Sequence, residues 1–383
     1  MEVYLDNSAT TRPAHAVVDV MTKTLAEGWH NPSALYRPAM EAEKHLTAVR
    51  EICLKAAGAV GQRLIFTSGG TEADNIAVCG YLRGVKQHGR VLMLSVEHPA
   101  ILACAQEVER MGHTVQLIPV DHRGVLDVHA FEAMLKEDVR LICVMQVNNE
   151  SGAIQPIEEV VRLRNSHCPG AAVHVDGVQG FLRVPFDFNR LGVDSYAFSG
   201  HKIHASKGVG ALIVRKGHKV NPIVFGGGQE DGYRSGTENT PGIFGLGEAV
   251  RIYPQEAAQD MMAKKKRLYE GILAAVPNAT LNGPALDDPA CAPHILNMSL
   301  APVRSQTMLF ALEGDGIYVS AGSACASRKQ KVSGVLTAMG LSTLQADCAL
   351  RFSLCPGIMD EEIDYVIARI KAHYALLAKY TRR

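Results

Sequence analysis

Several features that define large classes of protein are missing from this sequence. No apolar run reaches the roughly 18 residues of a membrane-spanning helix, and the chain does not open on a basic region followed by an apolar stretch. Basic and acidic residues number 39 each, so no net charge draws the protein to nucleic acid or to a membrane. These absences favour a cytoplasmic protein whose partners are recognised locally, with no nucleic acid and no membrane among them.

The cysteines and charged clusters also lack the spacing of known binding motifs. The nine cysteines are scattered without a CxxC pair, which favours a reduced intracellular chain over a disulfide framework. HKIH, from His201 to His204, has no cysteine or carboxylate cluster to complete a metal site, so we expect no metal. KKKR, from Lys264 to Arg267, is typical of a solvated helix face.

What the sequence does contain indicates a compact α/β protein. Of its 383 residues 47% are hydrophobic and 20% charged, and 35 are glycines. Short apolar runs alternate with amphipathic stretches, which predicts a mostly parallel central sheet with helices on both faces. The expected strands are RLIFTS, RVLMLSVEH, TVQLIPV, VRLICVMQVNN, AAVHVD, DSYAFSG and GALIVR. Functional residues of such a sheet lie at the carboxyl ends of its strands.

The alternating pattern ends near Tyr253, and the rest of the chain differs in character. A long helical stretch follows, and then short strands and helices typical of a smaller α+β domain. We therefore expect a large domain over residues 15–253. Residues 1–14 together with 254–383 would form the small domain.

Three polar motifs stand at the predicted strand ends. TSGGTEADN combines glycines, Thr71 and the start of a helix, an arrangement that can bind an anion but equally forms an ordinary capped turn. Asp176 ends AAVHVD, where a carboxylate can keep a pyridine nitrogen protonated or simply form a turn. His98 of SVEHPA could stack on a flat cofactor, although a lone histidine is more often structural.

A lysine completes this set. Lys202 leaves the strand DSYAFS in a position where a partly enclosed amine can form a Schiff base. Lys207 is its rival, but the SKG context of Lys207 indicates a loop. Either lysine alone would be read as a surface residue. The order Gly-Thr, His, Asp, Lys along the chain is what favours a cofactor site.

The blocks TSGGTEADN, VEHPAI, VNNESG, VHVDGVQ, FSGHK, YRSGTEN, SAGSAC and LRFSL resemble those of the NifS-like and IscS-like cysteine desulfurases. These are fold-type-I, class V aminotransferase enzymes that use pyridoxal 5'-phosphate. The resemblance runs from YLDNSATT to EEIDY, nearly the whole chain. It implies that Lys202 is the Schiff-base lysine, that Asp176 pairs with the pyridine nitrogen and that His98 stacks on the ring and assists catalysis. The other implied cofactor contacts are Gly70, Thr71, Ser199 and His201 to the phosphate, Gln179 to the ring hydroxyl, Asn149, and Thr237 to the phosphate of a neighbouring subunit in a homodimer.

The resemblance also implies a substrate and a reaction. Asn31, Asn149 and Arg351 would orient L-cysteine, since a guanidinium binds a carboxylate bidentately. Cys325 lies in SAGSACASRKQKVSG, a small, polar stretch with basic residues that favour a thiolate. This thiol would take the substrate sulfur as a persulfide, release alanine and pass the sulfur to an acceptor protein, for iron–sulfur clusters or another sulfur-containing product.

Three alternatives remain open from the sequence. A selenocysteine lyase would share the cofactor site. A class V aminotransferase would need no thiol on the loop, so Cys325 argues against it. A non-catalytic sulfur-relay subunit is disfavoured because Lys202 and Asp176 are both present.

Overall fold

The computed structural model describes residues 1–322 and 333–380. The strands are β1, Val3–Tyr4; β2, Arg63–Thr67; β3, Arg90–Leu94; β4, Thr114–Ile118; β5, Val139–Cys143; β6, Ala172–Asp176; β7, Ser195–Ser199; β8, Gly210–Val214; β9, Thr280–Leu281; β10, Ile295–Ser299; β11, Ile317–Tyr318; and β12, Ala349–Ser353. The main sheet has seven strands in the order β2-β8-β7-β6-β5-β3-β4. All neighbours are parallel except β8, which runs antiparallel to β2 and to β7.

The central strands are buried along their whole length. Every residue of β6, β7 and β8 is buried. Helices therefore cover both faces of the sheet, as near-continuous apolar strands require. The predicted α/β fold with a mostly parallel sheet is confirmed, and each of the seven apolar runs expected as a strand contributes to the main sheet.

The helices follow the strands in the expected alternation, and the longer ones are amphipathic. In α14 the buried residues Ile363, Val366, Ile370 and Tyr374 recur every three or four positions, the spacing of one helix face. The helices are α1, His15–Glu27; α2, Arg37–Ala56; α3, Gly70–Asn75; α4, Pro99–Leu102; α5, Ala105–Arg110; α6, Val128–Met134; α7, Ile157–His167; α8, Phe188–Leu191; α9, Thr240–Ile252; α10, Ala257–Ala275; α11, Ser305–Glu313; α12, Gly334–Ala338; α13, Thr343–Asp347; and α14, Asp360–Leu377. Among the described residues, none of these helices has both the length and the apolar character needed to cross a bilayer.

The end of the chain packs with its beginning. β10 lies between β9 and β12 in an antiparallel sheet, and β1 pairs with β11. One buried cluster combines residues of β1 with residues of α10, β10, α11, β12 and α14. The largest cluster gathers the apolar side chains of the main sheet and its helices. Two large cores are the physical requirement for two domains, but the proposed boundaries stay a prediction.

Polar residues converge at the carboxyl edge of the main sheet. Asp176 is the last residue of β6, and Ser199 is the last residue of β7. A single 3₁₀ turn, Gly200–Lys202, then carries Lys202 away from the core. β12 brings Arg351 to the same edge from the other sheet. The fold thus joins residues from opposite ends of the chain in one place.

Candidate active site

A cavity of about 240 Å³ opens at this edge. Ten of the residues predicted from the sequence line it: Gly70, Thr71, His98, Asn149, Asp176, Gln179, Ser199, His201, Lys202 and Arg351. Its remaining lining residues are Ser8, Ala9, Asp74, Met145 and Val178. Because these residues come from seven separate stretches of the chain, their convergence is a property of the fold and not of any single motif.

Lys202 presents a nearly buried amine to the cavity. Its Nζ donates hydrogen bonds to the carbonyl oxygens of Ser8, at 2.5 Å, and Ala9, at 2.8 Å. Burial, together with the charges of Arg183 and Arg351, lowers the pKa of Lys202 to about 7. A large fraction of the amine is then uncharged near neutral pH, which a nucleophile requires. The rival Lys207 is exposed and does not line the cavity.

Asp176 faces the same cavity as a buried carboxyl group. Its Oδ1 accepts a hydrogen bond of 2.9 Å from the backbone N–H of Val178. Burial and the neighbouring Asp74 raise the pKa of Asp176 to about 7. A cation placed against this carboxylate would favour its ionised form. The site is therefore suited to a protonated ring nitrogen.

A second buried acid lies beside it. Asp74 Oδ1 is 3.1 Å from Nε2 of His174, and the other ring nitrogen of His174 is 2.9 Å from Oγ of Ser195. Burial raises the pKa of Asp74 and lowers that of His174 to about 4. Sequence reasoning missed this network, although Asp74 stands inside TSGGTEADN and His174 inside AAVHVD.

His98 is fixed at the beginning of α4. Its Nδ1 accepts a hydrogen bond of 3.1 Å from the backbone N–H of Ala100, so the neutral ring carries its proton on Nε2. Burial lowers the pKa of His98 and favours that neutral form. This arrangement supports an aromatic surface with one donor. A role for His98 in proton transfer stays a prediction.

Gln179 already has partners for both polar atoms. Its Nε2 donates to the carbonyl oxygen of Ser8 at 2.9 Å, and its Oε1 accepts a hydrogen bond of 2.9 Å from Arg183. The fully buried Arg183 also donates to the carbonyl oxygen of Lys202. Nε2 and Oε1 can each make one more hydrogen bond, and contact between Gln179 and a cofactor hydroxyl stays a prediction. Arg183, four residues after Gln179, was not recognised from the sequence.

Arg351 is almost completely buried on the opposite side of the cavity. It donates to Asp6 Oδ1 at 2.7 Å and to the carbonyl oxygen of Asn149 at 2.8 Å. Its Nε is buried and has no hydrogen-bond partner among residues 1–322 and 333–380. The guanidinium is therefore held in place and retains an unused donor. Asp6, part of YLDNSATT, is a further residue that sequence reasoning did not assign.

Two of the predicted residues that the structure describes do not line the cavity. Asn31 is exposed, and its Oδ1 accepts a hydrogen bond of 2.9 Å from the backbone N–H of Ser33 in a turn. Thr237 is exposed as well, and its contact with the cofactor of a neighbouring subunit stays a prediction. Cys325 lies outside the described residues.

A model of one protein family matches most of the sequence. It is described as "Aminotransferase class-V" and matches residues 3–366. The chain belongs to this family. Its members use pyridoxal 5'-phosphate, the cofactor expected from the sequence.

Individual relatives agree over nearly their whole lengths. The chain is 37% identical over 368 residues to a cysteine desulfurase of Nostoc sp., covering 95% of this chain and 91% of that one. It is 36% identical over 373 residues to the cysteine desulfurase NifS of Azotobacter vinelandii, covering 96% and 92% respectively. A solved structure titled "NIFS-LIKE PROTEIN" shares 35% identity and a TM-score of 0.92, with 98% of this chain and 100% of that chain covered.

A further solved structure, titled "SspA in complex with cysteine", has a TM-score of 0.82 at 30% identity. The alignment covers 92% of this chain and 99% of the other.

The donor set of the cavity fits pyridoxal 5'-phosphate. The Lys202 amine suits the aldehyde and Asp176 suits the ring nitrogen, while the hydroxyls of Thr71 and Ser199 suit a phosphate. Gly70 adds a steric observation, because a Cβ at that position would lie 2.6 Å from Cγ2 of Val178. Any side chain at position 70 would collide with Val178, so only backbone atoms fit at this part of the cavity wall.

Proposed function

We propose that this protein is a cysteine desulfurase, which converts L-cysteine to L-alanine and transfers the sulfur to an acceptor for iron–sulfur cluster assembly or related products. The observation that carries the proposal is the convergence of a lysine amine, a strand-end carboxyl group and a buried guanidinium in one cavity. Relatives named cysteine desulfurase support the substrate, and so does the solved relative whose title describes a complex with cysteine.

The residues that would hold the cofactor follow from the cavity. Lys202 would attach it, Asp176 would face its ring nitrogen, and His98 would cover one face of the ring. Gly70, Thr71, Ser199 and His201 would hold the phosphate, with Thr237 contributed by a second subunit. When bound, pyridoxal 5'-phosphate supplies an electron sink that makes a proton on the substrate Cα removable.

The substrate would be oriented by its carboxylate. Arg351 lines the cavity, as does Asn149, and one buried nitrogen of Arg351 has no partner in the part of the chain that the structure describes. The carboxylate of L-cysteine would compete with Asp6 for the guanidinium, because both are anions of the same type. Asn31 would join this set only through a rearrangement of its loop.

Lys202 is the group placed to move the Cα proton. Because the pKa of Lys202 is about 7, a large fraction of its amine is uncharged at pH 7 and can accept a proton. The carbonyls of Ser8 and Ala9 give the amine a fixed position when it is not engaged elsewhere. Proton transfer by a positioned side chain contributes about 10²- to 10⁴-fold to a rate.

Cys325 would carry out the sulfur transfer. Its thiolate would attack the sulfur of the substrate, so a sulfur–sulfur bond forms and the bond from sulfur to the substrate Cβ breaks. The electron pair of that bond remains with the carbon fragment, which takes up a proton and leaves as alanine. Arg328 and Lys329, close in sequence, would favour the thiolate. This role rests on the sequence, since residues 323–332 are not described.

Several finer properties belong to the same proposal. The enzyme would be a sulfurtransferase and would act as a homodimer in the cytoplasm. It would pass its persulfide sulfur to a separate acceptor protein.

Product analysis tests the proposal. Purified protein supplied with pyridoxal 5'-phosphate and L-cysteine should release alanine and sulfide in equal amounts when a thiol reductant is present. Transfer of the amino group to a keto acid, without release of alanine, would identify an aminotransferase instead. Turnover confined to selenocysteine would identify a selenocysteine lyase.

A further inference from the structure

A second buried lysine lies in the core that contains α10 and does not line the cavity. Lys265 is only 2% exposed, and its Nζ is 2.9 Å from Sγ of Cys291 and 2.8 Å from the carbonyl oxygen of Ala292. Cys291 is 5% exposed. Neighbouring basic residues of α10 behave differently, since Lys264 pairs with Asp360 and Arg267 with Asp364.

No carboxylate compensates the charge of Lys265 among the ion pairs of residues 1–322 and 333–380. Placing an ammonium ion in a core without such a partner is strongly unfavourable. Burial accordingly lowers the pKa of Lys265 and favours the uncharged amine. The ring of His294, in the same core, has no hydrogen-bond partner at either nitrogen among the described residues, and it supplies no negative charge. The amine and the thiol are thus left facing each other.

The contact between Nζ and Sγ is short for these two elements. A separation of 2.9 Å is typical of an N–H···O bond, and sulfur is larger than oxygen. A direct nitrogen–sulfur bond would need the two atoms to move much closer together. A single bridging atom, in contrast, fits between them with little movement of either backbone.

We propose that Lys265 and Cys291 are a modification site, at which dioxygen converts the pair to a covalent N–O–S cross-link. The amine loses one hydrogen, the thiol loses its hydrogen, and one oxygen atom enters between nitrogen and sulfur. The second oxygen atom leaves as water with those two hydrogens. Nitrogen and sulfur each give up two electrons, and one molecule of dioxygen accepts all four. The return to amine and thiol needs four electrons, which two molecules of dithiothreitol supply as each is oxidised to a disulfide, and the bridging oxygen leaves as water.

The cross-link would join two elements near the substrate site. Cys291 pairs with Ala153 in an isolated β-bridge, and the adjoining residues Ala290 and Ala292 exchange backbone hydrogen bonds with Ile154 and Gly152. Residues 152–154 follow Asn149 closely in sequence, and the carbonyl oxygen of Asn149 accepts a hydrogen bond from Arg351. The cross-link would therefore connect α10, through Cys291, to residues 152–154 and so to the segment whose Asn149 carbonyl accepts a hydrogen bond from Arg351.

Intact-mass spectrometry tests the cross-link without any measurement of activity. Protein exposed to air without reductant should gain the mass of one oxygen atom less two hydrogen atoms, and dithiothreitol should remove this gain. The variants Lys265→Met and Cys291→Ser should not show it, whereas Cys53→Ser, which alters another buried thiol, should show it fully.

Peptide mapping of the oxidised wild-type protein decides the matter even if a variant fails to fold. A joined pair of peptides containing Lys265 and Cys291 would support the proposal. Gains of whole oxygen atoms on Cys291 alone, or an unmodified pair after prolonged exposure to air, would overturn it. Because the readout is a mass, failure of this proposal would leave the proposed desulfurase activity unaffected.

Discussion

Two buried lysines, Lys202 and Lys265, stand in contrasting regions of this molecule. Both donate to backbone carbonyls at 2.8 Å, and burial is the largest cause of the lowered pKa of each. Lys202 faces a cavity shared with acids and a guanidinium, whereas Lys265 contacts a thiol and a carbonyl oxygen inside a core. Burial makes both amines reactive, and the surrounding space decides whether a ligand or a neighbouring side chain can react with them.

Replacement of the two lysines should separate their roles most strongly. Lys202→Ala should reduce alanine formation from cysteine by about 10²- to 10⁴-fold or more, because both attachment of the cofactor and proton transfer are lost. Lys265→Met should leave turnover near that of the wild type, and Lys207→Ala is a matched control on the loop. The measurement is the rate of alanine release at saturating cysteine. Comparable losses of alanine release in the Lys202 and Lys265 variants would contradict the separate roles assigned to the two lysines.

The two thiols provide a parallel test. Cys325→Ala should bind the cofactor with its usual absorbance, yet lose about 10²-fold or more of its alanine release under reducing conditions, since no other group receives the sulfur. Cys291→Ala should retain turnover because its thiol lies in the core with Lys265. Full cysteine desulfurase activity in the Cys325 variant would exclude that residue as the nucleophile.

Arg351 tests whether the cavity recognises a carboxylate. Arg351→Lys keeps a positive charge but loses the planar fork that binds two oxygens. The KM for cysteine should rise by about 10- to 100-fold, since hydrogen bonds to charged groups contribute about 1.5–3 kcal/mol and every 1.4 kcal/mol changes affinity tenfold. A change confined to kcat would argue against this role. Arg304→Lys, at an exposed position, is the control.

The pKa of Lys202 predicts how cofactor uptake depends on pH. The uncharged amine predominates above the pKa, so the rate at which the cofactor-free protein takes up pyridoxal 5'-phosphate should rise through about pH 7 and level off above it. An ordinary lysine would place this rise several pH units higher. The growth of the cofactor absorbance at each pH provides the measurement. A rise confined to strongly alkaline pH would show that the amine is not perturbed.

The predicted residues that line one cavity share a physical reason for lying together. Asp176, Ser199 and Lys202 follow apolar runs that could only be buried strands, and the ends of parallel strands meet at one edge. The role of Arg351 could be predicted only from the family resemblance, because the sequence LRFSL does not indicate which sheet its strand joins.

Other contacts could not be predicted from the sequence. Lys202 is held by the backbone carbonyls of Ser8 and Ala9, more than 190 residues away, and any residue type has such a carbonyl. KKKR was predicted to form a solvated helix face. Among its four residues, that prediction is wrong for Lys265 alone. Lys264 and Arg267 do form surface ion pairs and Lys266 is exposed, but helical rotation turns Lys265 into the core.

Reductive trapping of the cofactor tests the central assignment most directly. Borohydride treatment of the cofactor-loaded protein, followed by proteolysis and mass spectrometry, should place a single phosphopyridoxyl group on Lys202. Lys265 should remain unmodified in the same digest, although its amine is also buried. A group found on Lys207, Lys265 or any other lysine instead would contradict the account.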